Sequence, residues 1–169
     1  PDLDKAISRI AMGTMAFRDN ESADPVYDRF LELGGNCYET ARIYGPAEEI
    51  LGRWLSSRDN REAIVLITKG AHTPDCYPEA VTEELAVSFD LLQTGYVDAY
   101  FLHRDNLDVP VGEFVDVLNE HKDAGRIKAF GGSNWTVERL QEANEYAARN
   151  RRTGFVALSN NFSLAQWVN

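Results

Sequence analysis

Short apolar runs alternate with amphipathic stretches along the whole 169-residue chain. Six of the runs have the length and composition of a buried β-strand, and their starts fall about every 30 residues, the span of one βα unit. The predicted strands cover 10–15, 36–40, 64–68, 98–102, 127–131 and 155–159. The pattern therefore predicts a regular strand and helix alternation.

Five amphipathic stretches between the strands carry apolar residues at helical spacing. In the first, Asp24 is the predicted N-cap, Pro25 stands in the first turn, and Val26, Phe30 and Leu33 form the predicted buried stripe. The stripes of the other four are Ala47, Ile50, Leu51, Trp54 and Leu55; Val81, Leu85, Phe89 and Leu92; Val111, Phe114, Val115 and Leu118; and Val137, Leu140, Ala143 and Ala147. The fifth helix is expected to begin at Thr136 or Asn134.

Strict alternation of strands and helices implies a parallel sheet, wound either as an open sheet or as a barrel. No Gly-x-Gly-x-x-Gly follows the first predicted strand, so the fingerprint of an open dinucleotide-binding sheet is absent and the barrel is favoured. We predict an α/β fold of the (β/α)8 TIM-barrel type, with about six of its eight units in a single domain over residues 1–169.

A six-stranded part of such a barrel has two open edges. Met12 and Val156 are predicted to face inward and to lose packing against two further strands. We expect the open side to be covered by the remainder of a longer polypeptide or by a second copy of the chain. The isolated 169 residues are not expected to form a closed and functionally competent monomer.

Composition narrows the classes of partner. A net charge of −10 at pH 7 opposes nucleic-acid binding, which needs clustered cations. The apolar runs are far shorter than the roughly 20 residues that span a bilayer, so a cytoplasmic protein without membrane partners is expected. Cys37 and Cys76 lack metal-ligand spacing and are expected to be reduced thiols, and no metal site is predicted.

Polar residues stand where the predicted strands end, which in a (β/α) barrel is where chemistry collects. They are Glu39 with Tyr44 just beyond it, Lys69, His103, Ser133 with Asn134, and Ser159. A lone lysine or histidine at a strand end is usually a solvated or structural residue. Four chemically active side chains on successive strands converge on one barrel mouth, which favours a functional site.

Five segments resemble the aldo-keto reductase family. Residues 36–45 are similar to the motif in which an acidic residue precedes the catalytic tyrosine by five positions, and the similarity continues through 48–55. Residues 67–70 resemble the lysine strand, 91–103 the segment that ends in the active-site histidine, and 125–134 the strand whose Ser-Asn pair holds the nicotinamide carboxamide.

The resemblance implies a catalytic tetrad. Tyr44 would donate a proton to a substrate carbonyl while hydride arrives from a reduced nicotinamide. A free tyrosine has a pKa of about 10, so a nearby cation that stabilises the phenolate helps it to act near neutrality, and this role falls to Lys69. His103 would orient the carbonyl and donate to the developing oxyanion. Glu39 would hold the Lys69 ammonium in place.

The same resemblance implies the cofactor contacts. Ser133 and Asn134 would bind the nicotinamide carboxamide, with further contacts from Ser159, Thr14 and Met15. The expected cofactor is NADPH, with NADH as the alternative, and the expected partner is a small-molecule carbonyl compound.

Two positions depart from the family pattern. Glu39 stands where the family usually has Asp, and its added methylene moves the carboxylate by roughly 1.5 Å. Ser159, three residues before Phe162, stands where the family often has a Gln that contacts the nicotinamide amide, and a shorter side chain loses that hydrogen bond or needs a water.

Two other functions stay open. One is a cofactor-binding or regulatory barrel module that has little or no turnover. The other uses Lys69 as a Schiff-base nucleophile, or Glu39 and His103 as metal ligands, although the sequence offers neither the companion acid nor the third ligand that these need. We take the NAD(P)H-dependent reductase as the leading hypothesis.

Overall fold

A computed structural model of the chain describes residues 3–161. In these residues six strands alternate with five helices, and a 3₁₀ turn, Arg61–Ala63, precedes the third strand. The elements are β1 Ala11–Gly13, α1 Asn20–Glu32, β2 Cys37–Glu39, α2 Ala47–Arg58, β3 Val65–Gly70, α3 Pro78–Leu92, β4 Val97–Leu102, α4 Val111–Asp123, β5 Ile127–Ser133, α5 Val137–Arg149 and β6 Ala157–Ser159.

All six strands lie parallel in one sheet in the order of the chain, from β1 to β6. The sheet curls into a half-barrel, which confirms the predicted part of a (β/α)8 barrel. The register aligns the strand ends, since Gly13 pairs with Glu39, Lys69 with Phe101, and Ser133 with Ser159. Side chains that follow these ends therefore share one rim.

The two faces of the sheet differ in what covers them. The outer face of the sheet packs against the helices and forms the core. Its strand residues include Tyr38, Leu66, Tyr100 and Phe130, which pack with Trp54 and other helix residues. The concave face bounds an apolar cavity of about 130 Å³, whose lining residues include Ile67, Ala99, Phe101 and Ala129.

The expectation that Met12 faces inward is wrong. Met12 packs against the core on the helix side, because strand residues alternate in direction and its neighbours Ala11 and Gly13 take the concave face. Val156 does line the concave cavity, and it is 46% exposed.

The first helix begins earlier than predicted. Its N-cap is Asp19, whose carboxylate accepts a hydrogen bond from the backbone N–H of Ser22 at 2.8 Å. Asp24 is therefore an interior residue, and Pro25 lies inside the helix rather than at its start. The Asp24–Pro25 dipeptide has the composition of a helix start. Asp19, five residues upstream, is the residue that accepts a hydrogen bond from a free backbone N–H of the first turn.

The buried stripe of α1 also differs from the prediction. Ala23 and Tyr27 are fully buried and Phe30 is partly buried, whereas Val26 and Leu33 are exposed. The aromatic ring of Tyr27 takes the central place in the core, and Leu33 is the C-cap residue, beyond the helix.

The other helices follow the predicted stripes, with one exception on α5, where Val137 is exposed. Thr136 is the N-cap of α5 and accepts from Arg139 N–H, so Asn134 is not the cap. Gly52 allows α2 to approach α3, since any Cβ there would collide with the Leu91 carbonyl. Among residues 3–161 no helix is long and apolar enough to cross a membrane.

Candidate active site

Lys69 is the buried cation at the rim of the sheet. It stands near the end of β3 with only 4% of its surface exposed, and its ammonium forms an ion pair with the Glu39 carboxylate. The ammonium also donates a hydrogen bond to the Thr40 carbonyl at 2.9 Å. Burial lowers the pKa of Lys69 to about 7, while the adjacent carboxylate favours the charged form.

Tyr44 lies beside this ion pair, on the loop that joins β2 to α2. A tight turn places it there, because its backbone N–H donates to the Ala41 carbonyl at 3.0 Å. The Lys69 Nζ atom is 4.7 Å from the centre of the half-buried Tyr44 ring. Burial raises the pKa of the Tyr44 phenol, and the charge of Arg104 opposes that shift.

His103 follows β4 and joins the cluster from the other side. Its backbone N–H extends the ladder by donating to the Gly70 carbonyl at 2.7 Å. The imidazole packs edge-on against Tyr44, with ring centres 5.7 Å apart, and against His72 at 4.9 Å. Burial, together with the charges of Lys69, His72 and Arg104, lowers the pKa of His103 to about 3, so the ring is neutral at neutral pH.

Ser133, Asn134 and Ser159 form a connected group at the ends of β5 and β6. The Ser133 hydroxyl donates to the Ser159 carbonyl at 3.0 Å and accepts from Asn134 Nδ2 at 2.9 Å. Asn134 has a left-handed backbone (φ 60°), and its Nδ2 also lies 3.5 Å from the His103 carbonyl oxygen. The group uses the Ser159 backbone rather than its side chain.

Thr14 and Met15, at the end of β1, are less directly placed. Thr14 is fully buried and its N–H donates to the Glu39 carbonyl at 3.0 Å, while its hydroxyl has no partner among residues 3–161. Met15 is exposed and lines a surface groove of about 410 Å³ with Ile43 and Tyr44. The structure thus brings the four proposed tetrad residues together, and leaves the Thr14 side chain beneath the surface.

Two residues near the site are not among those that the sequence predicts. Glu48, in the first turn of α2, is a fully buried carboxylate that contacts Arg42 and Thr68. His72 follows β3 and packs on His103. An acidic residue in a first helical turn is common for electrostatic reasons, so only its tertiary contacts distinguish Glu48. A lone histidine in a loop carries equally little signal.

The described side chains around Lys69 offer oxygen and nitrogen groups. In the described part of the chain no group of three or more His, Cys, Asp or Glu side chains could hold a metal ion. Cys37 and Cys76 are separate buried thiols, and burial raises the pKa of each to about 11. Neither thiol is in the cluster around Lys69.

Six units of a (β/α)8 barrel with Tyr, Lys, His and Glu side chains at the carboxyl rim define the class of protein. The sequence model of the Aldo/keto reductase family matches residues 9–169, and the chain belongs to this family.

Curated relatives agree with this assignment. The chain is 32% identical to the aldo-keto reductase YhdN of Bacillus subtilis over 149 residues, which cover 79% of the chain and 45% of the relative. It is 31% identical to norsolorinic acid reductase B of Aspergillus parasiticus (83% of the chain, 44% of the relative) and 28% identical to that of Dothistroma septosporum (87% and 44%). The chain spans about half the length of these relatives.

Proposed function

We propose that the natural protein reduces an aldehyde or ketone to an alcohol with a reduced nicotinamide cofactor. The observation that carries the proposal is the Lys69 ammonium held by Glu39 and Thr40 and lying 4.7 Å from the Tyr44 ring centre. Membership of the aldo/keto reductase family and the names of the relatives support it.

Tyr44 is the proposed proton donor to the carbonyl oxygen. Burial raises the pKa of its phenol and opposes proton release, whereas the Lys69 ammonium favours the phenolate that forms. Positioned proton transfer of this kind typically contributes about 10²–10⁴ in rate. Glu39 anchors the ammonium, and its carboxylate reaches Lys69 despite the family preference for Asp at this position.

His103 is proposed to orient the carbonyl. Because its pKa is lowered to about 3, the imidazole is neutral at neutral pH and can donate a hydrogen bond without giving up a proton. Packing against Tyr44 and His72 fixes the plane of the ring. In this proposal the Tyr44 phenol transfers the proton, and the His103 imidazole stabilises the negative charge that develops on the carbonyl oxygen.

The residues at the rim fit a nicotinamide group. The Asn134 amide is held in one orientation by Ser133, and side-chain amides and hydroxyls are suited to bind a carboxamide. Met15 and Ser159 border the same rim, whereas the Thr14 hydroxyl, which is buried and lacks a partner among residues 3–161, would contact a bound polar group only if the rim above it opened. We propose NADPH as the cofactor and NADH as the alternative; when bound, it supplies hydride to the carbonyl carbon.

A second polypeptide segment is proposed to cover the edges of the sheet. In the described residues β1 and β6 each pair with one strand. Ile10, just before β1, and Leu33, at the end of α1, line one groove and are 72% and 69% exposed. Either further residues of a longer chain or a second copy would bury them. Intact mass and sedimentation equilibrium of the natural protein distinguish these two arrangements.

The test of the proposed function is Tyr44→Phe in the natural protein. Reduction of a probe aldehyde such as 4-nitrobenzaldehyde should fall by about 10² or more, with NADPH affinity unchanged, because only proton transfer is lost. Stopped-flow absorbance and NADPH fluorescence titration measure the two quantities. Unchanged turnover would reject Tyr44 as the donor, and NADPH binding without turnover in the unmutated protein would favour the binding-module alternative.

A further inference from the structure

We propose that Glu48 is a positioning residue for the reaction. Together with Arg42 and Thr68, it fixes the loop that carries Tyr44 against β3, where Lys69 stands. The inference rests on the proposed role of Tyr44 as proton donor. It assigns to a buried helix residue a share in the geometry of the site, although Glu48 itself contacts none of the proposed tetrad side chains.

The Glu48 carboxylate is buried completely and satisfied on both oxygens. Oε1 accepts a hydrogen bond from the Thr68 hydroxyl at 2.6 Å, and Oε2 accepts one from Arg42 Nη1 at 2.8 Å. Burial of a carboxylate is costly unless it is paired and hydrogen-bonded. The position therefore joins three elements through one charged group: helix α2, strand β3 and the loop between β2 and α2.

The joined loop is the one that places Tyr44. The first part of this loop extends the pairing of β2 with β3. The backbone N–H of Thr40 donates to the Ile67 carbonyl at 2.9 Å, and the backbone N–H of Arg42 donates to the Lys69 carbonyl at 2.8 Å. Tyr44 follows two residues after Arg42 and four residues before Glu48. Arg42 before Tyr44 and Glu48 after it are therefore joined by their ion pair. The third partner, Thr68, directly precedes Lys69 along the chain.

The neighbouring glutamate supplies a contrast within the same helical turn. Glu49 pairs with Arg53 at 2.5 Å, and both side chains are about half exposed. Exposed pairs of this kind contribute little to stability and this one contacts no residue of the site. Glu48 and Glu49 therefore have the same chemistry on one helix, but only Glu48 is connected to the Tyr44 loop.

The experiment compares Glu48→Gln with Glu49→Gln in the natural protein. Glu48→Gln keeps the shape and an oxygen for Thr68 but removes the charge that holds Arg42. We expect kcat for 4-nitrobenzaldehyde to fall by about tenfold or more, with KM and NADPH affinity within about twofold, because small misplacements of a reacting group reduce the rate steeply. Glu49→Gln should leave all three unchanged.

A readout without cofactor tests the position of Tyr44 directly. In protein labelled with ¹³C-tyrosine, the Tyr44 ring signal is assigned by its loss in Tyr44→Phe. The signal should shift or broaden in Glu48→Gln and stay in place in Glu49→Gln. Arg42→Lys, which keeps the charge but not the planar fork, should shift it less than Glu48→Gln does.

The outcomes separate the possible failures. If Glu48→Gln lowers only the melting temperature and keeps kcat and the Tyr44 signal, the inference is overturned and Glu48 is structural. If Tyr44→Phe keeps turnover, the proposed role of Tyr44 as proton donor fails, and if the unmutated protein has no turnover, the proposed function fails; in both cases the Tyr44 signal still tests the positioning by Glu48. If Glu48→Gln does not fold, Thr68→Val removes one hydrogen bond at nearly constant volume, and an unchanged Tyr44 signal and kcat in that variant overturn the inference.

Discussion

Two buried charges, those of Asp98 and Lys69, lie at opposite ends of the same sheet and differ in the number of opposite charges around them. Asp98, near the start of β4, is 1% exposed and is surrounded by cations: Arg61 at 2.9 Å, Lys5 at 3.4 Å and Lys128 at 3.8 Å. It also accepts the backbone N–H of Leu66 at 3.0 Å. Three cations thus lie within 4 Å of one buried carboxylate.

Lys69, at the other end, has much less compensation. A single carboxylate, that of Glu39, pairs with it, and its other close neighbours are the Thr40 carbonyl and the Tyr44 ring. Burial lowers the pKa of Lys69 to about 7, and the Glu39 carboxylate opposes this shift. The charge at the amino end of the sheet is thus strongly compensated, whereas the charge at the carboxyl end is weakly compensated, as expected if Lys69 has the role proposed for it.

The largest expected effect is on activity at the carboxyl end. Lys69→Met should reduce turnover of the natural protein by roughly 10³, because the proposed phenolate loses its cation. Its free energy of unfolding should stay within about 1 kcal/mol of the unmutated value, since the cost of burying an amine is removed while Glu39 keeps partial access to water. Steady-state kinetics and urea denaturation measure both quantities. If Lys69→Met lowers the free energy of unfolding and keeps full activity, Lys69 has a structural role and its contrast with Asp98 is wrong.

The next effect concerns stability at the amino end. Asp98→Asn keeps an acceptor for Leu66 N–H but leaves Arg61 and its neighbouring cations without a buried anion. Removal of one partner from a buried ion pair costs about 3–5 kcal/mol, and we expect a loss in the lower part of this range because the cations keep some access to water. Urea denaturation gives the value. The turnover of the folded variant should match the unmutated protein, and a large fall in kcat would show that the two ends are coupled.

The sequence was sufficient for the parts of the fold that depend on local pattern. Each predicted strand overlaps an observed one, because buried strands alternate with helices at a nearly constant interval. The register of parallel strands then brings Glu39, Lys69 and His103 to one rim, so their proximity follows from strand ends alone. Their roles in catalysis stay a prediction.

Features that depend on tertiary contact were not predictable. Asp24 and Pro25 have the composition of a helix start, but Asp19 fulfils that role. Glu48 reads as an ordinary acid in a first helical turn until Arg42 and Thr68 approach it from other elements. The position of His72 depends on a left-handed Ala71 (φ 54°), whose N–H donates to Glu84 at 2.7 Å.

The smallest effect sharpens the comparison through pH. The pKa of His103 is lowered to about 3, against 6.5 for an ordinary histidine, mainly because the ring is buried and secondly because Lys69 is close. Below about pH 6.5 His103 therefore binds a proton in the unfolded chain but not in the folded chain. The free energy of unfolding consequently falls as the pH decreases toward 3.

For one such group, lowering the pH from 7.5 to 5.5 should reduce the free energy of unfolding by about 1.4 kcal/mol. His103→Gln removes this contribution and keeps every other titrating group, including the buried His121, whose pKa is also lowered by burial. The difference between the unmutated and His103→Gln proteins, measured by urea denaturation at the two pH values, isolates His103. Equal pH dependence in the two proteins would mean that folding does not lower the pKa of His103, and the prediction that its ring stays neutral well below pH 6.5 would be wrong.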